Sequence, residues 1–398
     1  MVPSSGVSGI ALGLSGAASV LLELSWPTTD VAAVTCIVSS AAVWLAFTAS
    51  RVTAPRRLAE DFRSAGTLSP YGAYQMTFLF LCLRLVARAS VVAALVGLWF
   101  GAAAQLAVMA SFLAACYRER RWPEPLYNPT TVNCAVTAIV GASLAPRRRD
   151  VVSLTVASFC LAVFLAAVLV PVETYRVLAD DRVSASAAVA MLQAPWSLTA
   201  LTWGVMRRAF RAPIIGPRAD RSVTHALFAA STIVLATTLF AVWRRRNQIR
   251  HKGVAVDWAA FTFPSCSSAV AALQYAANDL VSFESSLARR VLAAYAHVLS
   301  ALVLGVVAAV VAATAHLALR SRDSLADAPG PPKLFEIARQ TPSPRTITGD
   351  DDHHHPAMQP DHHDRLVVVV NGHHDDDLAA VGGTYASPPP HDSDRPPS

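Results

Sequence analysis

Long apolar runs alternate with short polar segments over the first 319 residues of the chain. A helix needs about 20 mainly apolar residues to cross a bilayer, and runs of roughly this length recur along the sequence. Ten spans are predicted, at 5–25, 30–50, 70–86, 89–116, 130–145, 151–172, 185–206, 223–243, 256–280 and 291–319. The third and fifth are short, and eight or nine spans remain an alternative if residues 70–116 are divided differently. The pattern predicts an all-α integral membrane protein with ten transmembrane helices.

The C-terminal segment has a different character. Residues 320–398 contain no run of spanning length and are rich in Pro, Asp, His and Ser. Such a segment buries too little apolar surface to offset its chain entropy, so we predict a disordered cytosolic tail after a membrane domain of residues 1–319. Thr341 and Ser343, each followed by proline, are candidate kinase targets. The histidines of the tail follow no fixed ligand spacing, so no metal site is expected.

Composition and charge narrow the class of protein. Charged residues make up 15% of the chain and the mean hydropathy is +0.41, whereas soluble proteins are about 25% charged. Residues 1–319 carry a net charge of +12 and residues 320–398 carry −6. There is no Walker loop, Rossmann glycine set or HExxH motif. We therefore expect no enzyme, no cofactor and no nucleic-acid partner.

The arginines indicate the topology. They are concentrated in the loops at 51–66, 117–129 and 244–252, although the opposite side also carries several. By the positive-inside rule and an even number of spans, both termini are predicted to be cytoplasmic. The N-terminus has no basic n-region, so no secretory signal is expected. The six cysteines lie in or beside apolar runs, which is typical of small buried residues.

Proline interrupts the ninth run at Pro264, directly after Phe263. A proline inside a helix removes one backbone hydrogen bond and bends the helix, and membrane proteins accept this where protein or a cavity surrounds the break. An aromatic ring at such a kink either projects into a path between helices or packs against a neighbour. Both interpretations of Phe263 stay open on the residues alone. Pro195 and Pro129 are predicted to kink two further spans.

Glycine, arginine and acidic residues in the spans bear on the shape of a pore and on the charge of the ion that would pass through it. Gly9 and Gly13 lie close to one face of the first span, which suits a close helix contact or a wide pore wall. Arg84 and Arg88 lie one turn apart near the end of the third span, where they attract anions at a pore mouth or snorkel to the interface. No carboxylate is predicted at the centre of a span. This favours an anionic permeant over a cation.

Four segments resemble one known family. The ninth run contains DWAAFTFPSCSSAVAALQYA, which resembles the ninth-helix signature of plant slow-type (S-type) anion channels, within the tellurite-resistance/dicarboxylate transporter family. Three other segments are similar to its fifth, seventh and first helices, in order and spacing: LYNPTTVNCAVTAIVGA (126–142), AVAMLQAPWSLTALTW (188–203) and GIALGLSGAASVLLEL (9–24).

The resemblance implies a trimer in which each protomer forms its own pore from five helical hairpins. The odd-numbered helices line that pore and Phe263 blocks it. The candidate pore-lining residues are Gly9, Gly13, Thr137, Ala138, Phe261 and Thr262. The chain departs from the family pattern where Asp257 replaces a tryptophan and where Thr137 and Ala138 replace a Gly-Asn pair. Its third-helix region also matches loosely.

The sequence thus predicts a passive channel for small inorganic anions (chloride, nitrate) in the plasma membrane. It would be a homotrimer or a heteromer with related channels, in contact with membrane lipid. Three alternatives remain. One is a proton-coupled dicarboxylate or tellurite-type carrier of the same fold, and another is a non-conducting regulatory subunit of a heteromeric channel. The third is a membrane anchor whose tail binds a metal or a partner.

Overall fold

The computed structural model describes residues 6–25, 28–120, 124–179, 187–210, 215–247, 259–277 and 286–326. These residues are helical apart from short turns, and no strand occurs among them. Ten helices of 11 residues or more lie within these ranges. They are α1 (Gly6–Leu24), α2 (Thr29–Val52), α3 (Ala65–Leu81), α4 (Val91–Glu119), α5 (Cys134–Leu144), α6 (Val152–Ala179), α7 (Ala194–Phe210), α8 (Pro217–Arg244), α9 (Ala259–Ala276) and α10 (Ser286–Ala326). The predicted all-α class is confirmed.

The helices divide into an inner and an outer set. Six described helices are long and apolar enough to cross a membrane: α1 and the even-numbered α2, α4, α6, α8 and α10. Within their apolar windows, 61% of α1 is buried, but only 22–39% of the five even-numbered helices. A helix that faces lipid must be apolar, whereas a helix surrounded by protein can be shorter and more polar. The even-numbered helices therefore form the outer layer.

The inner, odd-numbered helices run in the same direction. Along α1 and α9, close approaches advance together from Gly9 beside Ala259 to Gly16 beside Cys266. Pairs between α7 and α9 advance in the same way, from Ser197–Ser267 to Gly204–Gln274. Between α3 and the segment that leads into α5, pairs advance from Gly72–Pro129 to Gln75–Asn133. Nη2 of Arg84, which follows α3, lies 3.4 Å from Oγ of Ser19 in the C-terminal part of α1, so all five inner helices end at one end of the bundle.

Two of the three prolines that were predicted to kink a helix lie in the first turn of a helix. The chain changes from a 3-10 turn (Ala187–Gln193) to the regular helix α7 at Ala194, so Pro195 lies in the first helical turn. Pro129 lies in the one-turn helix Asn128–Thr131 that precedes α5. Proline costs little in a first turn, because the N–H it lacks has no helical partner there. Of the three predicted kinks, Pro264 alone lies inside its helix.

Two helices extend beyond their predicted ends. The sixth span was predicted to end at residue 172, but α6 continues to Ala179 and brings Glu173 into the helix. The tenth was predicted to end at residue 319, and α10 continues to Ala326. The rest of the predicted tail, with Thr341 and Ser343, lies outside the described residues, as does Asp257. The disordered tail and its kinase sites stay predictions.

Candidate functional site

A cavity of about 420 Å³ lies at the end of the bundle where the inner helices end, and we call it the vestibule. Its wall contains residues from all five inner helices. They are Ser19, Glu23, Phe80, Leu83, Arg84, Arg88, Ile139, Ser143, Pro146, Leu201, Val205, Arg208, Ala209, Val270 and Gln274. Because one water molecule occupies about 30 Å³ in the liquid, the vestibule has room for a small hydrated ion.

The charged side chains of the vestibule are three arginines and one glutamate. The Glu23 carboxylate accepts two hydrogen bonds from Arg208, from Nη2 at 2.7 Å and from Nη1 at 3.1 Å. The Gln274 side-chain amide donates a third at 2.9 Å. Gln274 reaches this place because Gly204 faces it without a side chain: a Cβ on Gly204 would lie 2.3 Å from Gln274 Oε1. The vestibule therefore carries an excess of positive charge.

Arg84 and Arg88 reach the vestibule through an irregular stretch at the end of α3. The helix continues as a π-helical turn (Cys82–Val86) and one further turn (Ala87–Ala89). A π turn is wider than an α turn, so it shifts the side chains that follow it around the helix axis. Both arginines line the cavity, and Arg84 Nη2 lies 3.4 Å from Ser19 Oγ.

Two phenylalanines lie where the vestibule meets the apolar centre of the bundle. Phe80 lines the cavity and packs edge to face on Phe263, with ring centroids 6.0 Å apart and an interplanar angle of 63°. Phe263 is 3% exposed and belongs to an apolar cluster with members from all five inner helices. Beyond Phe80, apolar side chains fill the centre of the bundle.

Pro264 lies inside α9, next to Phe263. Since proline has no N–H, the carbonyl of Ala260 loses its helical partner. Nearby hydroxyls bond to the backbone of α9 itself: Ser267 Oγ donates to the Phe263 carbonyl at 2.9 Å, and Thr262 Oγ1 donates to the Ala259 carbonyl at 2.7 Å. The hydroxyls of Thr262 and Ser267 are therefore satisfied within α9 itself.

The glycines of α1 form a seam with α9. A Cβ on Gly9 would lie 3.2 Å from Ala259 Cβ, and a Cβ on Gly13 would lie 2.1 Å from Thr262 Oγ1. Gly13 and Thr262 are both buried, and Phe261 is partly buried. The seam is the close helix contact that the sequence suggested for these glycines. A pore-lining role for Gly9, Gly13, Phe261 and Thr262 stays a prediction.

On α5, the two predicted pore residues face other helices. Thr137 is buried and donates a hydrogen bond of 2.6 Å to Gln105 Oε1 on α4. Ala138 is buried in a cluster that includes Phe159 and Trp203. Ile139 and Ser143, four residues apart and hence on one face of α5, line the vestibule instead. A pore-lining role for Thr137 and Ala138 stays a prediction.

Sequence reasoning missed two polar groupings. Glu23 and Arg208 are 185 residues apart, so no local pattern pairs them. Glu173, 1% exposed, accepts a hydrogen bond of 2.9 Å from Asn128 Nδ2, which also donates to the Met191 carbonyl at 3.0 Å. Within the described part of the chain, Glu173 Oε1 has no hydrogen-bond partner. The asparagine of the Asn-Pro motif was the one sequence signal for this site.

Fold and vestibule together define a multi-pass helical membrane protein whose inner helices enclose a basic cavity. The family model described as voltage-dependent anion channel, SLAC1, matches residues 4–315. The chain therefore belongs to the SLAC1 family of anion channels and transporters. Among curated proteins, no match to the chain was found. The resemblance to the S-type anion channel family is confirmed.

Proposed function

We propose that this protein is a passive channel for small anions, chloride and nitrate among them, and that Phe263 closes its path. The observation that carries the proposal is the position of Phe263. Its ring lies in the apolar cluster of the inner helices, directly against Phe80, and Phe80 lines the basic vestibule. In this proposal an anion enters the vestibule, and displacement of the ring opens the way through the bundle.

The electrostatics of the vestibule support an anionic permeant. Three guanidinium groups line it against one carboxylate. Arg88 and Arg208 are exposed, so their charges attract anions through solvent without binding them tightly. A weak site suits a channel, because the ion must leave as readily as it enters.

The test is two-electrode voltage clamp in oocytes, comparing wild type with Phe263→Ala in chloride, nitrate and malate baths. Removing the ring opens the apolar constriction, so we expect large anion-selective currents in the variant and small ones in wild type. Surface labelling establishes equal delivery to the membrane.

Phe112→Ala is the matched control. Phe112 is 2% exposed, and it packs on Tyr127 outside the inner bundle, with ring centroids 5.0 Å apart. The change removes a buried ring of the same size, and no current is expected from it. If Phe263→Ala reaches the surface and passes no current in any bath, or if Phe112→Ala conducts as well, the gate proposal is wrong.

The proposal extends to assembly and location. We propose a trimer, or a heteromer with related channels, in the plasma membrane with both termini in the cytoplasm. Membership of the SLAC1 family supports the assembly of channel subunits, and the ten long helices within the described ranges support termini on the same side of the membrane. Assembly with relatives also keeps open the role of a regulatory subunit, which would be silent alone and would alter currents on co-expression.

A proton-coupled dicarboxylate carrier is the second candidate, and Glu173 favours it. This buried carboxylate, with one unpartnered oxygen within the described part, is the kind of group that carries protons in membrane transporters. If the protein is a carrier, malate uptake should saturate with malate concentration and depend on pH. The Glu173→Gln variant should then have no malate uptake. Currents that rise linearly with driving force and do not depend on pH would favour the channel.

A further inference from the structure

The Glu23 carboxylate lies among the hydrogen-bond donors of the vestibule. It is the sole carboxylate among the described residues that line this cavity. Two Arg208 nitrogens and the Gln274 amide surround it at 2.7–3.1 Å. A planar fork of donors and an amide N–H would hold a halide or a nitrate ion in the same way. The side chain therefore occupies a ready-made anion position.

Arg84 has donor capacity left beside this position. Within the described part of the chain its Nε has no hydrogen-bond partner, and its Nη2 reaches Ser19 Oγ at a long 3.4 Å. A buried guanidinium nitrogen without a partner is costly, and an anion in the vestibule would satisfy it. This observation points to a ligand independently of the Glu23 pair.

The Glu23–Arg208 pair is too exposed to act as a strong structural tie. The Arg208 side chain is 53% exposed and the Glu23 side chain 26%. Pairs this accessible to water contribute about 0–1 kcal/mol to stability, since solvent screens them and ordering both side chains costs entropy. A dissolved anion can therefore compete with the Glu23 carboxylate for Arg208.

We propose that Arg208, Gln274 and Arg84 form a binding site for one small monovalent anion, and that Glu23 is a tethered competitor for that site. The site takes halide or nitrate when the carboxylate swings away. This proposal rests on the proposed function, in which the vestibule is the entrance to the anion path. It concerns the binding of an anion in the vestibule and not its conduction through the bundle. Glu23 then sets the anion concentration at which half of the sites are occupied.

The test measures thermal unfolding of the full chain in maltoside micelles, which contain no lipid phosphate. Nitrate replaces gluconate at constant ionic strength. An anion that binds the folded state raises Tm with concentration. In Glu23→Gln we expect the half-saturating nitrate concentration to fall about tenfold or more, because a like charge within hydrogen-bond reach of the site is gone. Adding Arg208→Ala to Glu23→Gln should abolish the nitrate effect.

Asp150→Asn is the matched control. Asp150 pairs with Arg148 in the segment between α5 and α6 and does not line the vestibule. It should leave the half-saturating concentration at the wild-type value. An equal shift in Asp150→Asn and Glu23→Gln would mean a general field effect, and an unchanged value in Glu23→Gln would overturn the competition. A nitrate effect that survives Arg208→Ala would overturn the site.

The two proposals fail separately. If Phe263→Ala passes no current while nitrate stabilises Glu23→Gln as expected, the path is wrong and the binding site stands. If Phe263→Ala conducts while nitrate changes no Tm, the tethered competitor is wrong and the channel stands.

Discussion

Gly13 illustrates how closely single residues are fitted in the inner bundle. A Cβ at this position would lie 2.1 Å from Thr262 Oγ1 and 2.7 Å from Thr262 Cβ. The Thr262 hydroxyl is held by its bond to the Ala259 carbonyl, so it cannot move aside freely. The close contact between α1 and α9 therefore requires a residue without a side chain at position 13.

Gly13→Ala should destabilise the protein by about 1–3 kcal/mol, the usual cost of overpacking a core. The measurement is Tm of the purified protein in detergent. Gly305→Ala is the control, because nothing lies within 4 Å of a Cβ at that helical position. There alanine should be neutral or stabilising by about 0.5–1 kcal/mol. Equal Tm values for the two variants would contradict the seam.

The position of a residue in the bundle could be predicted from the sequence where a motif identified it. The sequence did not show which face of a helix lines the vestibule. The Phe-Pro pair placed Phe263 in α9, inside the bundle. The pore-lining assignment of Thr137 and Ala138 stays a prediction, while the structure shows Thr137 bonded to Gln105 and Ala138 in a cluster with Trp203. The direction of a side chain depends on its contacts with helices that are distant in the sequence, and a single sequence does not show those contacts.

At the scale of elements, the α7–α8 hairpin is tied by a buried ion pair. Arg207 Nε lies 2.6 Å from Asp220 Oδ2, and the Asp220 side chain is fully buried. A pair in this environment contributes little net stability, but removing one partner leaves the other charge uncompensated. The pair therefore fixes where α8 starts against the end of α7.

Asp220→Asn should lower the free energy of unfolding by about 3–5 kcal/mol, since Arg207 would remain buried without a counter-charge. Denaturation in detergent with increasing urea measures it. The exposed pair Arg148–Asp150 gives the comparison, and Asp150→Asn should leave the unfolding midpoint unchanged. A loss of stability no larger in Asp220→Asn than in Asp150→Asn would disprove the structural role.

Hydropathy predicted the outer helices well because lipid requires an apolar surface from each of them. The inner helices other than α1 gave weaker signals, since protein surrounds them and tolerates their short length and polar groups. This is why the predicted seventh span included Ala187–Gln193, which forms a 3-10 turn before the regular helix starts at Ala194. The π turn before Arg88 carried no hydropathy signal.

At the scale of the whole molecule, the family match ends at residue 315 and the described helix α10 ends at Ala326. Residues 327–398 are acidic, polar and rich in proline. Truncation after Ala326 in the Phe263→Ala background should retain anion currents, because the membrane domain has its own core. Voltage clamp with surface labelling checks this. Loss of current at normal surface level would instead favour a tail that is required for activity.

The shared direction of the inner helices has a consequence for the charge balance of the vestibule. Each helix C-terminus carries roughly half a negative charge, and five of them surround this cavity. These partial charges oppose the arginines and reduce the positive potential of the vestibule, although solvent screens them. The Glu23 carboxylate opposes the arginines in the same direction, so its removal raises the net side-chain charge of the cavity from +2 to +3. The charge of one α1 side chain therefore has a large effect on how strongly this end of the bundle attracts an anion.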